Sequence, residues 1–382
     1  VGVRHGETDP ALVDEVHRMA PGVLRQTWTG SFDDWPQVNG PPASSGRDLA
    51  LLGPEFTRPR TLWATAGLSR GLGADLAVAL SAGVRQTDFL PLRRDLNRPP
   101  VPTATDLFGR PLYGPLEGLG PWMGAALGSN RRFAGYESVW AIDSDGWSHH
   151  VWGTVSLDAR TPSVDVFAAV TVSQTEDNWP GAATAHPEAA RDPGLGPEVV
   201  NWTSGISDLD VPVRGVASGS VDLTPWFQAT ASYRFRSGRP FTPGFRAGFD
   251  ANGDGSGFND PAHVPDAQTL GSIGQAWPCL TDQAGQFAAR NSCRGPAVHQ
   301  FDVQAAFDIP VEGATLTFEA LNVLDEGEEL LDGALWLLDG PVPANTSGQV
   351  QIPYVINPDF GQPLRRLGIG RVFRVGVRLD FQ

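Results

Sequence analysis

Val372-Phe373-Arg374-Val375-Gly376-Val377-Arg378-Leu379-Asp380-Phe381 alternates without a break at the end of the chain. Side chains two apart share one face of a strand, so Phe373, Val375, Val377, Leu379 and Phe381 fall on one side and Arg374, Gly376, Arg378 and Asp380 on the other. One face suits hydrocarbon and the other suits water. Such a segment reads as a strand that crosses a lipid bilayer as part of a closed sheet.

Working back along the chain, the same pattern recurs. Residues 298–311 set Phe301, Val303, Ala305, Phe307 and Ile309 against Asp302, Gln304, Ala306 and Asp308. In 163–173, Val164, Val166, Ala168, Val170 and Val172 oppose Asp165, Phe167, Ala169 and Thr171. In 226–236, Phe227, Ala229, Ala231, Tyr233 and Phe235 oppose Gln228, Thr230, Ser232 and Arg234. In 75–85, Leu76, Val78, Leu80, Ala82 and Val84 oppose Asp75, Ser81 and Arg85; segments 61–69, 147–158 and 313–324 read likewise. The segment 211–223, rich in Gly and Ser, is the poorest. No charge falls on the apolar face of a clear strand, which is where lipid would penalise it most.

A soluble β-sandwich also alternates, and the connections decide between the two. Those at 71–74, 160–162, 224–225 and 311–313 are short, whereas those near 90–146, 176–211, 238–298 and 325–369 run to tens of residues. Short turns on one side and very long loops on the other are the topology of a transmembrane barrel, and a compact soluble domain rarely carries four such loops. The fold class predicted is therefore all-β: an antiparallel transmembrane β-barrel, partial, with about nine or ten strands. Segment 133–144, with a turn at Ser144-Asp145-Gly146, is expected to extend a loop upward as β structure, and a tenth strand is expected near Val23–Trp28, before the Pro/Gly/Ser-rich stretch 36–54. Residues 1–58 form a poorly assigned strand and loop, and 59–382 the barrel proper. Loops this long suit a larger barrel, so the chain reads as a piece of one.

The formal charge of −15, with all basic side chains other than His being Arg, argues against nucleic acid as a partner. No stretch of eighteen apolar residues is present, which excludes a transmembrane helix and leaves barrel strands open. The Gly and Pro content, 45 and 33 residues, fits many turns. Cys279 and Cys293 lie in one turn-rich stretch; in an oxidising exterior they would pair, and two free thiols are the alternative.

The order of several blocks resembles the C-terminal half of a TonB-dependent outer-membrane receptor, in particular the Oar-like branch. The blocks are Pro59-Arg60-Thr61-Leu62-Trp63-Ala64-Thr65-Ala66-Gly67-Leu68 with the strand running to Arg94-Asp95-Leu96-Asn97; Ser237-Gly238-Arg239-Pro240-Phe241-Thr242; Asp250-Ala251-Asn252-Gly253-Asp254-Gly255 with Asn259-Asp260; Arg294-Gly295-Pro296; and Phe318-Glu319-Ala320-Leu321-Asn322-Val323-Leu324. They occur in the family's order over residues 59–382. The resemblance implies a Gram-negative outer-membrane location, a plug and TonB-contacting segment upstream of this piece, and outer-membrane lipid, the TonB system and a small-molecule or polymer ligand as partners. Residues 1–58 match poorly, and Gln382 after Phe381 departs from the family's final aromatic.

Asp250-x-Asn252-x-Asp254-Gly255 has the spacing that opens a calcium loop, with oxygen donors at positions one, three and five. The twelfth position is Pro261 where an EF-hand has Glu, so Asp260 is the expected replacement and the candidate Ca²⁺ ligands are Asp250, Asn252, Asp254 and Asp260. The alternative is an Asx-rich turn in which these side chains cap their own backbone. His149 and His150 are adjacent on a strand and point to opposite faces, so they do not chelate together. There is no zinc spacing and no nucleophile elbow; no catalytic residue and no required cofactor are read. Trp63, Trp147, Trp152 and Trp226 lie at or near strand ends, where interface girdles place aromatics. The expected function is a TonB-dependent receptor or transporter barrel taking up a ligand; the alternatives are a structural or adhesive barrel with calcium-stiffened loops, and a passive channel.

Overall fold

A computed structural model describes residues 2–5, 48–97, 102–113, 138–178, 204–246, 249–253, 260–310, 313–340 and 348–379. Its main element is one open antiparallel wall: β1 (Gly2–His5), β2 (Arg60–Gly71), β3 (Leu76–Asp95), β4 (Ser138–Thr161), β5 (Val164–Asp177), β6 (Val213–Thr224), β7 (Phe227–Arg236), β8 (Val298–Asp308), β9 (Ala314–Leu321) and β10 (Val372–Leu379). Each pairs with the next in chain order, and β1 and β10 leave the path open, as in a partial barrel. The connections explain the order. Pro162-Ser163 and Pro225-Trp226 join β5 and β7 to the strands before them, and the Thr161 hydroxyl accepts the Val164 N–H at 3.0 Å. Between β2 and β3, Gly73 takes φ +130°, a conformation that favours glycine in a tight return.

The registers place every expected apolar set on one continuous face. Leu68 lies opposite Leu80, Leu80 opposite Val155, Val155 opposite Val170, and Val170 opposite Gly215. At the other end of the wall, Ala229 faces Ala305, Ala305 faces Phe318, and Phe318 faces Val375. Among the described residues nothing packs on this face: Phe373 is 73% exposed and Val375 68%. The opposite face carries the polar partners, including the Thr61–Thr87 and Thr154–Thr171 hydroxyl pairs at 3.0 and 2.8 Å.

Strands β3 and β4 run to 20 and 24 residues, well beyond the roughly 9–11 that cross a bilayer. Ser144-Asp145-Gly146, expected as a turn, lies inside β4 and faces an irregularity in β3. Phe89 there has φ +63°, and a Cβ on Gly146 would meet the Leu90 carbonyl oxygen at 2.5 Å. The segment is a bulge, whose extra residue breaks the alternation without reversing the strand. Of the segment 133–144 expected as a β extension, residues 138–144 are described and lie in β4, and the rest lies outside the described residues. The stretch 36–54, expected as loop, contains the strand Asp48–Leu52, which pairs in parallel with the start of β4. The proposed strand Val23–Trp28 lies outside the described residues.

The largest departure from expectation is in the long connections, which are not structureless. Short strands at Ala104–Asp106, Pro111–Leu112, Pro240–Phe241, Cys293–Arg294, Glu328–Leu331, Trp336–Leu338, Gly348–Val350, Tyr354–Ile356 and Pro363–Leu367 pair with one another, and Ala267–Ala276 is a helix capped by Asp266, which accepts the Thr269 N–H at 2.9 Å. Both hydrophobic cores are built from these connections. One joins Ala104, Leu112, Phe249, Ala251, Val350 and Ile352. The other gathers Val264, Leu270, Leu280, Leu335, Trp336 and Phe360, among others. The described parts of the connections co-fold into a head on one end of the wall, and no described residue covers the wall's apolar face.

Candidate functional site

Where head meets wall, the rim is held by arginines. Arg290 donates to the Asp177 carboxylate at the end of β5 at 2.7 Å. Arg294 pairs with Asp210 at 2.7 Å and donates to the Gly238 carbonyl at 2.8 Å. Arg236, the last residue of β7, pairs with Glu328 at 2.6 Å, and Arg239 pairs with the same carboxylate. A Cβ on Gly238 would strike the Gly295 and Pro296 carbonyl oxygens, so the blocks around Gly238 and Gly295 fit together only because a glycine stands there. Asn322, at φ +52°, spans Glu326 and Ile369 through its side-chain amide, while its N–H meets Asp302 at 2.7 Å. Blocks that are only short matches in the sequence are thus the parts that join head to wall.

Inside the head, the turn Asp106–Arg110 is closed by the Asp106 carboxylate, which accepts the Phe108 and Arg110 N–H groups at 2.8 Å each. Gly109 takes φ +84° to complete it. This aims Arg110 inward, where its guanidinium meets Asp260 at 2.9 Å with both side chains 1% exposed. It also lies over the Phe245 and Phe287 rings, at 5.2 and 5.0 Å. Burial raises the Asp106 carboxyl above the usual carboxylate range, against the pull of Arg110. His263 stacks on Phe108 at 4.4 Å, and burial lowers its pKa.

Of the expected calcium ligands, Asp250, Asn252 and Asp260 come together, and Asp254 lies outside the described residues. The Asp250 carboxylate accepts the Asn252 and Gly253 N–H groups at 3.3 and 2.6 Å, the pattern of an Asx turn. Asp260 accepts the Ala251 N–H at 2.9 Å with one oxygen and holds Arg110 with the other. Among the described residues no three His, Cys, Asp or Glu side chains form a metal-binding group. Cys279 and Cys293 are joined as a disulfide with Cα atoms 5.4 Å apart, and Cys293 belongs to the second core. His150 on β4 bonds the Thr175 hydroxyl at 2.8 Å, while His149 is exposed.

The polar face of the wall carries a feature that the sequence reading did not single out. Below the head, Thr171, Arg214, Val216, Arg234, Arg236 and Gln300 line a depression of about 330 Å³. Alternation assigned Arg234 to the polar face but held no signal that these three arginines converge.

The chain is similar to the outer membrane transporter YddB from Escherichia coli, at 10% identity and a TM-score of 0.45 over 89% of this chain and 35% of that one. It is also similar to the FrpB iron transporter from Neisseria meningitidis, at 10% and 0.42 over 88% and 33%. A third is the siderophore receptor PiuA from Acinetobacter baumannii, at 9% and 0.32 over 84% and 33%. The chain spans about a third of the length of these structures. No family model matches it, and no curated protein does.

Proposed function

We propose that this chain is a wall segment of a Gram-negative outer-membrane β-barrel receptor of the TonB-dependent, Oar-like type, that its head meets ligand outside the cell, and that its polar face lines the passage. One observation carries the reading: an apolar face that runs across the wall with no described residue packed over it, while the two cores among the described residues sit in the head. A soluble sandwich would bury that face on a second sheet. In lipid it needs no cover. Passage inward would use the TonB system through a plug upstream of this piece, and the chain would act in binding and transport without catalysis. A fluorophore on a cysteine at Phe318, on the apolar face, should be quenched by brominated lipid after reconstitution of the full chain, and one at Glu319 should not. Equal quenching would sink the membrane reading.

A head with its own cores also supports a second reading, adhesion without import, because a rigid surface suits a polymer partner. Uptake abolished by loss of TonB favours transport; surface binding unchanged by that loss favours adhesion. Calcium belongs to the proposal with a reduced donor set. Arg110 holds Asp260, which leaves Asp250, Asn252 and Asp254, and so few donors imply an affinity no tighter than about 10⁻⁴–10⁻³ M. Calorimetry of the chain against Asp250→Ala/Asp254→Ala decides it: equal heats mean the segment is a turn only.

A further inference from the structure

We infer that the depression below the head is an oxyanion site, in which Arg214, Arg234 and Arg236 receive a carboxylate- or phosphate-bearing ligand on the polar face of the wall. This rests on the reading of that face as water-filled. Arg214 on β6 lies directly opposite Arg236 on β7, and Arg234 directly opposite Val216, so three guanidinium groups share a patch two strands wide. Like charges directly opposite on a sheet repel. The acids nearby answer only part of this charge. Glu328 is shared between Arg236 and Arg239, and Asp302 stands 3.8 Å from Arg234 while also taking the Gln300 amide and the Asn322 N–H. Arg214 is exposed and has no ion pair among the described residues.

The setting makes this excess of charge unusual. The chain carries a net charge of −15, yet the neighbours of Arg214 across the sheet are Thr171 on β5 and Arg236, neither of them acidic. Arg85 on β3 lies on the same face and, like Arg214 and Asp210, is within electrostatic reach of His150; Asp210 is itself paired with Arg294. Guanidinium groups present paired N–H donors in a plane that matches the two oxygens of a carboxylate or phosphate. Thr171 and Gln300 add neutral hydrogen-bonding groups at the edge, and Val216 gives an apolar floor. The depression lies at the end of the wall that carries the long connections, where β6 begins at Val213 and β7 ends at Arg236. The chemical class is an anion with at least two negative oxygens able to bridge two arginines.

The test is calorimetric titration of the full chain in nonionic detergent with citrate and, separately, pyrophosphate, with glycerol as the neutral control. At least one anion should bind saturably, weakening as salt rises, and Arg214→Gln/Arg234→Gln should lose about tenfold or more in affinity, as expected for charge-assisted hydrogen bonds. Thr171→Asp, which sets a tethered carboxylate opposite Arg214, should block binding while both arginines remain, and it serves if the double variant does not fold. Citrate alone binding assigns a carboxylate ligand, and pyrophosphate alone a phosphate. Absence of saturable binding by either anion, or unchanged affinity in the variants, overturns the inference. The readout needs no bilayer, so its failure is distinct from failure of the lipid-quenching test.

Discussion

Arg110 carries a charge into the interior of the head and serves there as its internal cation. It pairs with the buried Asp260 carboxylate at 2.9 Å and stands 3.8 Å from Asp106. Removing one partner of a buried pair strands the other, so Arg110→Met should destabilise the head by about 3–5 kcal/mol. The loss should appear as faster amide exchange in 102–113 and 260–264, with the wall strands unchanged. His263 gives a pH dependence of definite sign. Burial lowers its folded pKa below the ordinary 6.5, so its contribution is present above that value and is lost as pH falls through the folded one. Asp106, with a raised folded pKa, works in the opposite sense: its contribution is present below the ordinary carboxylate pKa and is lost as pH rises. Comparison with His263→Phe, which keeps a ring on Phe108, separates the two. Between pH of about 7.5 and about 5.5 the wild-type head should lose stability relative to that variant, measured by thermal unfolding at each pH.

At the scale of elements, the wall and the head obey different rules. A wall strand is stabilised by its ladders and, in the proposed setting, by lipid, so cost follows face. Val303→Arg, between Ala231 and Ala320 on the apolar face, should cost about 2–4 kcal/mol at mid-bilayer depth. Thr230→Arg, between Ser220 and Gln304 on the polar face, should be much milder. Thr171 is a poorer control because Arg214 lies directly opposite it. Folding yields in detergent, read by heat-modifiable mobility in gels, should separate the Val303 and Thr230 variants; equal defects would contradict the faces. In the head, the Cys279–Cys293 bridge closes a stretch of separation 14 inside the second core. Replacing both cysteines by Ser should cost about 3 kcal/mol in the chain-entropy model, and unreduced folded protein should show no reactive thiol on labelling.

For the whole molecule, the division of labour between wall and head follows from what each part of the sequence could display. The wall was legible because a strand's period of two is local: Phe373, Val375 and Val377 show their shared face with no knowledge of what lies beside them. The faces came from that one rule, the short and long connections from the spacing between alternating segments, and the registers then aligned the faces across the wall. Two irregularities escaped it for local reasons. The bulge at Phe89 and Gly146 mimics a turn, because an added residue interrupts alternation as a reversal does. The parallel strand Asp48–Leu52 sits in a Pro/Gly/Ser-rich setting that reads as loop. The head was not legible, since its short strands, several of two to four residues, are too brief to show a period. Its cores join residues from connections far apart in the chain. Arg110 and Asp260 are 150 residues apart and meet only once those connections pack. The arginines of the depression likewise come from two strands, Arg214 from β6 and Arg234 and Arg236 from β7, and their convergence is a matter of register. The sequence by itself determined the two-faced wall and the compartment it suits, because periodicity and hydropathy act over a few residues. Only the tertiary structure decided that the loops form a cored head, that Arg110 pairs with Asp260, and that three arginines share one patch, because those outcomes depend on contacts between distant segments.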